Sequence, residues 1–531
     1  MSLLQVNNLC VDFIGENKDF TALKKVNLNL DKNEILGVVG ESGSGKSTLI
    51  KSILRILSAP GLIQSGEIMF DNQNILKMKD QDILDLRWKK ISLVKQKALN
   101  SLNPVKKIGD QLILPFTYHA ELSKIEAKKE ALKLLDLVKI EKKYFDSYPH
   151  ELSGGMRQRI IIAIALALKP KIVIMDEPTT ALDVITEREI IKNILELKKE
   201  LKFSIIFITH DLSLLLQFAD KLSILFKGKI VDEGTVNEIK KGGNHNYTTN
   251  LLKAIPNIQK VNQKNKNKNN CKIFSLNDIN VVYELGSWLY PKPLKAVKNF
   301  SLNLYEKNIT ALIGESGSGK STIAKVICGL ENSFSGGLKQ FFEVDEKSVH
   351  FDLDYRKKVQ MIFQDPFSAL NPIHTVYHHL SRSFIRFDIC RNKNDIEKKA
   401  IEILETVDLK PGRQFLYKYP HEMSGGECQR VCIARSLIPK PKLIIADEPT
   451  SMLDVSIREE ILKLFLTLKK KYSLSILFIT HDIASASMIA DRIVVLKNGR
   501  IVEKGSPKKI IELSEDNYTE KLIKASSLDW I

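Results

Sequence analysis

No apolar stretch of this chain is long enough to cross a bilayer. The longest, Ile160 to Leu168, falls well short of the roughly 20 residues that a membrane helix requires, so no segment is expected to span a membrane. Cysteine is sparse, with six residues scattered over 531, which argues against a disulfide framework and fits reduced thiols in a cytosolic protein. Only Cys428 and Cys432 are close, and four apart they share one face of a helix. No second Cys or His pair stands at a spacing that completes a zinc site, so both are read as core or groove thiols. The opening Met1-Ser2-Leu3-Leu4-Gln5-Val6 has neither a basic n-region nor a long apolar h-region. No secretory signal is expected, and the protein is expected in the cytoplasm.

What is present is the composition of a folded globular protein, 44% hydrophobic and 27% charged, at a length that suits two or more domains, each with its own core. The formal charge of +17 is compatible with nucleic acid or an anionic membrane surface. Much of the lysine, however, sits beside asparagine, as in Lys264-Asn265-Lys266-Asn267-Lys268-Asn269-Asn270, a pattern that a biased genome composition produces without any function. Charge alone assigns no partner.

The chain repeats itself. Gly40-Glu41-Ser42-Gly43-Ser44-Gly45-Lys46-Ser47-Thr48 recurs letter for letter as Gly314-Glu315-Ser316-Gly317-Ser318-Gly319-Lys320-Ser321-Thr322, an offset of 314 − 40 = 274. Ser153 and Ser424, Asp176 and Asp447, and His210 and His481 follow at 424 − 153 = 271 and the same difference for the other two pairs. A period this long means two copies of one domain. Residues 1–256 and 274–531 are the expected domains, joined by a Lys/Asn/Gln-rich linker over 257–273 with little to bury.

In each half, apolar runs of strand length lead straight into these motifs: Ile35 to Val39, Ile172 to Met175 and Ile205 to Ile208, then Ile309 to Ile313, Leu443 to Ala446 and Ile476 to Ile479. Strands that end at chemistry predict an α/β sheet that binds its ligand at the strands' carboxyl ends. Residues 97–170 and 365–440 read as largely helical and are expected to form a subdomain in each half.

Gly-x-x-x-x-Gly-Lys-Ser between a strand and a helix is a P-loop, whose small residues let backbone N–H groups close around phosphate oxygens at a positive helix end. Gly40, Ser42, Gly43, Ser44, Gly45 and Thr48, with Gly314, Ser316, Gly317, Ser318, Gly319 and Thr322, are therefore candidate ATP-binding residues. Lys46 and Lys320 are candidates for neutralising β/γ-phosphate charge, and Ser47 and Ser321 for offering hydroxyls to Mg²⁺. Asp176-Glu177 and Asp447-Glu448 close apolar strands with paired carboxylates, the aspartates suited to hold Mg²⁺ and the glutamates to polarise the attacking water. His210 and His481, each after Phe-Ile-Thr at a strand end, can contact the γ-phosphate and orient water.

Leu152-Ser153-Gly154-Gly155-Met156-Arg157-Gln158-Arg159 and Met423-Ser424-Gly425-Gly426-Glu427-Cys428-Gln429-Arg430 resemble the signature of ATP-binding cassette (ABC) proteins, which other P-loop ATPases lack. Gln96 and Gln364 resemble the Q-loop, and Ala181-Leu182-Asp183 and Met452-Leu453-Asp454 the D-loop. The resemblance implies two tandem P-loop NTPase domains of ABC type, each with a RecA-like sheet core and a helical subdomain, using ATP and Mg²⁺. It makes Gln96 and Gln364 candidate nucleotide and Mg²⁺ ligands. It also implies head-to-tail pairing, in which Lys46, Gln96, Asp176, Glu177 and His210 share a site with Ser424, Gly425 and Gly426. Lys320, Gln364, Asp447, Glu448 and His481 then share the other with Ser153, Gly154 and Gly155. Phe13 and Tyr283 sit where the family often stacks a ring on adenine, a position that an ordinary core aromatic also fills.

Tyr148-Pro149-His150-Glu151, Tyr419-Pro420-His421-Glu422 and Asn246-Tyr247-Thr248, echoed at Asn517-Tyr518-Thr519, are similar to the dipeptide, oligopeptide and nickel importer group, which also takes in glutathione- and microcin-type members. That implies a peripheral protein on the cytoplasmic face of the inner membrane, one chain per transporter, with two permease subunits and a solute-binding protein as partners and no nucleic acid. A ribosome-associated translation factor is the alternative, but that branch implies a long charged helical linker. A DNA-maintenance ATPase would need zinc-type Cys clusters or long coiled-coil insertions, and neither is visible. The second Q-loop, Phe363-Gln364-Asp365-Pro366, is close to the group's form, whereas the first reads Val94-Lys95-Gln96-Lys97-Ala98. The two partner contacts are therefore expected to be unequal, with Lys95 and Lys97 meeting an acidic feature of one permease.

Overall fold

The computed structural model describes residues 2–15, 19–95, 101–180, 182–255, 271–285, 292–342, 347–451, 453–527 and 530. Gln96, Lys97, Ala181, Met452, Pro256 and residues 257–270 of the expected linker lie outside them. The chain divides into two compact units, one built mainly from Met1–Leu182 and Thr186–Ile255, the other mainly from Pro256–Ser527.

The first unit contains β1 (Ser2–Phe13), β2 (Phe20–Asp31), β3 (Ile35–Val39), β4 (Gly61–Phe70), β5 (Gln73–Asn74), β6 (Ile91–Val94), β7 (Ile172–Asp176), β8 (Ser204–Thr209), β9 (Lys221–Phe226) and β10 (Lys229–Thr235). They form a four-stranded antiparallel sheet in the order β2-β1-β4-β5 and a six-stranded sheet in the order β10-β9-β3-β8-β7-β6, parallel except for β10. The parallel strands are apolar end to end because both faces are covered. Ile35, Val39, Val173, Met175, Ile205 and Phe207 enter one core, while the intervening Leu36, Val38, Ile172, Ile174, Ile206 and Ile208 enter another. Each such side chain contributes about 1.5–3 kcal/mol of burial. The sheet is a rigid platform for whatever stands at its edge.

Helices Ile108–His119, Lys124–Leu137 and Gly154–Leu166 pack on one another, with Leu112, Phe116, Ala131 and Ile162 in the same core as one sheet face. The longest apolar run of the chain is thus mostly a buried helix. Among the described residues no helix is long and apolar enough to cross a membrane.

The second unit repeats the plan with β11 (Lys272–Leu285), β12 (Lys292–Tyr305), β13 (Ile309–Ile313), β14 (Phe334–Gln340), β15 (Lys347–Ser348), β16 (Val359–Ile362), β17 (Leu443–Asp447), β18 (Ser475–Thr480), β19 (Arg492–Lys497) and β20 (Arg500–Gly505). Its sheets run β12-β11-β14-β15 and β16-β17-β18-β13-β19-β20. β11 begins two residues before the expected domain start at 274. Cys428 and Cys432 are buried in its core beside Val431 and Ile433.

Candidate functional site

In the first unit β8 lies between β3 and β7, so the segments leaving these three strands emerge side by side at their carboxyl edge. That is where a parallel sheet offers a ligand crevice. β3 runs into the P-loop, β7 into Asp176-Glu177 and β8 into His210. In the second unit β18 separates β13 from β17 in the same way.

The P-loop turns through left-handed glycines. Gly43 and Gly45 have φ of 78° and 110°, and Gly317 and Gly319 have 79° and 104°. A Cβ on Gly45 would meet the Ala22 carbonyl oxygen at 2.8 Å, and one on Gly319 the Ala296 carbonyl oxygen at 2.6 Å, so glycine is required twice over. Gly45 and Gly319 are also the N-caps of helices Lys46–Ile53 and Lys320–Cys328, and as glycines they supply no side-chain cap. A helix start with a glycine cap, behind a glycine loop, fits an anion such as a phosphate group.

Lys46 and Lys320 are buried, at 7% and 4% exposure. Lys46 Nζ donates to the carbonyls of Gly40 and Glu41 at 2.6 and 2.7 Å, and Lys320 Nζ to those of Gly314 and Glu315, both at 2.8 Å. Burial lowers the Lys320 pKa, and the nearby Glu448 and Asp447 carboxylates offset this only in part.

The adjacent carboxylates part company electrostatically. Burial, reinforced by the charge of Glu177, pushes the Asp176 carboxyl up to about 6. Burial also disfavours the ionised form of Glu177, but His210, Lys46 and Thr180 outweigh it and hold that carboxyl at about 2. Burial raises Asp447 as well, while Glu448 is lowered because His481 and Lys320 overcome its burial. Titratable neighbours pushed in opposite directions suit a division of labour. Ser321 Oγ donates to Asp447 Oδ1 at 3.2 Å, an oxygen pair of the hard type that Mg²⁺ prefers.

Each glutamate sits in left-handed backbone, with φ of 46° at Glu177 and 44° at Glu448, a conformation that costs a non-glycine residue about 1–3 kcal/mol. It persists because the surroundings hold it. The backbone N–H donates to Ile208 or Ile479 in the neighbouring strand at 2.8 and 2.9 Å. The side chain pairs with His210 Nδ1 at 3.1 Å or His481 Nδ1 at 3.2 Å. Thr180 donates to Glu177 at 3.1 Å, and Gln364 Nε2 to Glu448 at 3.0 Å. The bond to Glu448, despite opposing burial, raises the His481 pKa.

The signature residues belong to a different element. Ser153 caps helix Gly154–Leu166 by accepting from Met156 N–H at 3.2 Å. Ser424 caps Gly425–Leu437 with a reciprocal capping box, accepting from Glu427 N–H at 3.3 Å while Glu427 accepts from Ser424 N–H at 2.8 Å. A Cβ on Gly155 would lie 2.7 Å from Thr186 Cγ2, and one on Gly426 2.6 Å from Ile457 Cγ2. Close packing therefore demands these second glycines.

Phe13 is half-buried over Gly61. Tyr283, also half-buried, has its hydroxyl beside Thr322 of the second P-loop and beside Glu331. Sequence reasoning missed Thr180, which follows the Pro-Thr shared by both copies, and the function of Tyr247 and Tyr518, whose hydroxyls touch the P-loops.

The model of the ABC transporter family matches residues 23–180 and 297–451. The chain is similar to the glutathione import ATP-binding protein GsiA of Pectobacterium atrosepticum, 34% identical over 568 residues, covering 98% of this chain and 89% of that protein. It is equally similar to the peptidoglycan transport ATP-binding protein YejF of Agrobacterium fabrum, 34% identical over 532 residues, covering 99% and 96%. Among solved structures, the archaeal ribosome recycling factor aABCE1, in complex with the ribosomal stalk protein aP1, matches with a TM-score of 0.61 and 21% identity over 94% of this chain and 90% of that one. At that identity the likeness concerns the fold alone.

Proposed function

The chain belongs to the ABC transporter family, a family of Mg²⁺-dependent ATPases, and from that premise we propose that it powers a membrane importer of peptides or a related small solute through two hydrolytic sites. The observation that carries the two-site reading is the duplication of one complete constellation, Lys-Ser, Asp-Glu and His, in the two units with matching hydrogen bonds. The import reading rests on relatives similar over their whole length that are import or transport ATP-binding proteins. They favour it over a ribosomal factor, to which the likeness is one of fold. The domains of the proposal are residues 1–256 and 274–531.

In this mechanism Lys46 and Lys320 turn from loop carbonyls toward the β- and γ-phosphates and neutralise their charge. Ser47 with Asp176, and Ser321 with Asp447, would hold Mg²⁺, joined by Gln96 and Gln364. When bound, the ion supplies positive charge to the phosphate oxygens. Glu177 and Glu448, kept ionised near neutral pH, accept a proton from the attacking water, and His210 and His481 orient the glutamates through Nδ1. The serine hydroxyls of Ser424 and Ser153, whose oxygens accept from their own helix starts, have a proton left to donate to a γ-phosphate oxygen. Gly425, Gly426, Gly154 and Gly155 add backbone N–H groups there. Two permease subunits and a solute-binding protein are the partners, with the chain on the cytoplasmic face of the membrane and its Q-loop surfaces transmitting closure to the permeases.

The test is a proteoliposome holding the chain with its permeases. Peptide-loaded binding protein should raise ATP hydrolysis several-fold. An ATPase that responds to ribosomes and ignores the loaded binding protein would reverse the choice.

A further inference from the structure

The mechanism leaves the two Asn-Tyr-Thr segments without a task, yet both reach the P-loop. Tyr247, in helix Asn246–Lys253, accepts the backbone N–H of Glu41 at its hydroxyl oxygen, at 3.2 Å. Tyr518, in helix Asn517–Ser526, accepts that of Glu315 at 2.7 Å. Glu41 and Glu315 follow the first P-loop glycine, and their carbonyls, like those of the glycines, accept from Lys46 and Lys320. One residue at the mouth of each loop is thus pinned on both sides, by a tyrosine at its N–H and by the P-loop lysine at its C=O.

The supports behind the two tyrosines differ while the tether is the same. The Tyr247 ring stacks on Phe226 at 4.3 Å. Its helix start is held by Asp232, which accepts from the N–H groups of Asn244 and His245 at 2.9 and 3.0 Å and from the Thr248 hydroxyl. In the second unit the Lys497 ammonium lies 4.8 Å from the Tyr518 ring centroid, and Lys497 and Phe226 are equivalent positions, 497 − 226 = 271. There Asp516 caps the helix by accepting from Tyr518 and Thr519 N–H at 2.9 and 3.2 Å. An aromatic stack in one copy and a cation over the ring in the other bring a hydroxyl to the same peptide group. Burial, with the Glu315 charge, raises the Tyr518 pKa, so the hydroxyl keeps its proton and acts as a neutral acceptor.

We propose that Tyr247 and Tyr518 are positioning residues whose hydroxyls hold the entrance of each P-loop in its nucleotide-ready shape and thereby set ATP affinity. The proposal rests on the ATPase reading above. A loop held before ATP arrives binds it without first being ordered, so loss of the tether weakens ground-state binding and leaves the chemical step alone.

The experiment uses the full chain with Tyr247→Phe and Tyr518→Phe together, which removes two oxygens and keeps the rings. Loss of one neutral hydrogen bond per site should raise KM for ATP about five-fold and weaken mant-ATP binding equally, with kcat within about two-fold of the original. Thr248→Val is the control for a merely structural role: it breaks the same helix's bond to Asp232 and spares the tyrosine, so it should lower the melting temperature and leave KM unchanged. An unchanged KM and mant-ATP affinity in the Phe variant, or an equal rise in Thr248→Val, would overturn the proposal. A parent chain that binds mant-ATP without hydrolysing it would count against the ATPase reading, and the ratio of mant-ATP affinities would still decide the tether.

Discussion

Asp176 is more useful to the protein than comfortable in it, and Asp176→Asn exposes the difference. Its carboxyl stands at about 6 in the folded chain against 3.8 in the unfolded one. At about 1.4 kcal/mol per pH unit, an ionised Asp176 costs the first unit at most about 3 kcal/mol at pH 7.5. The sign follows from proton uptake. Between pH 6 and 4 the folded state binds a proton that the unfolded state does not, so wild-type stability gains as pH falls through that window. Below the unfolded value both states are protonated and the difference is gone. Asparagine is the same size, carries no charge and escapes the cost. In EDTA and without nucleotide, the first-unit transition of the variant should melt about 6–10 °C above that of the wild type at pH 7.5. The gap should close toward pH 4. ATP hydrolysis at the first site should meanwhile be lost, since the residue assigned to Mg²⁺ there no longer carries charge. A variant less stable than wild type at pH 7.5, or a gap independent of pH, would refute the electrostatic reasoning.

Four further substitutions probe the signature helices. Gly426→Ala drives a methyl to 2.6 Å from Ile457, whereas Gly425→Ala meets nothing nearer than 3.6 Å. The first should therefore cost about 1–3 kcal/mol and the second almost nothing in thermal melts, although both should depress ATPase activity. Ser424→Ala removes a reciprocal capping box and should lower stability by about 1 kcal/mol. Ser153→Ala, which loses a single bond to Met156, should lower it less; the two melting shifts measured side by side decide the matter.

Three central strands of each six-stranded sheet were legible because burial on both faces leaves an uninterrupted apolar run, and each of these runs stops at a motif. The antiparallel sheets were not. Register shifts between Val6 and Leu9, and left-handed residues at Asn8 and Lys25, break the alternation that would have marked β1 and β2 as strands. The P-loops, carboxylate pairs and histidines could be read because their chemistry is written in consecutive residues. The opposed pKa shifts of Asp176 and Glu177 could not, since they depend on burial and on His210, 33 positions away from Glu177. The tyrosine tether was further out of reach, because 206 positions separate Glu41 from Tyr247. The motif was visible as a family trait, but its target was set by folding.

The central claim is that one chain holds two working hydrolytic sites, each with its own glutamate. Single Glu177→Gln and Glu448→Gln chains and the double variant, compared for ATP binding and for steady-state hydrolysis, test it most directly. The account predicts a loss of turnover in the double variant of about 10²-fold or more with ATP binding intact, and a clear loss in each single variant. Hydrolysis near wild type in the double variant, or a single variant that matches wild type, would contradict it.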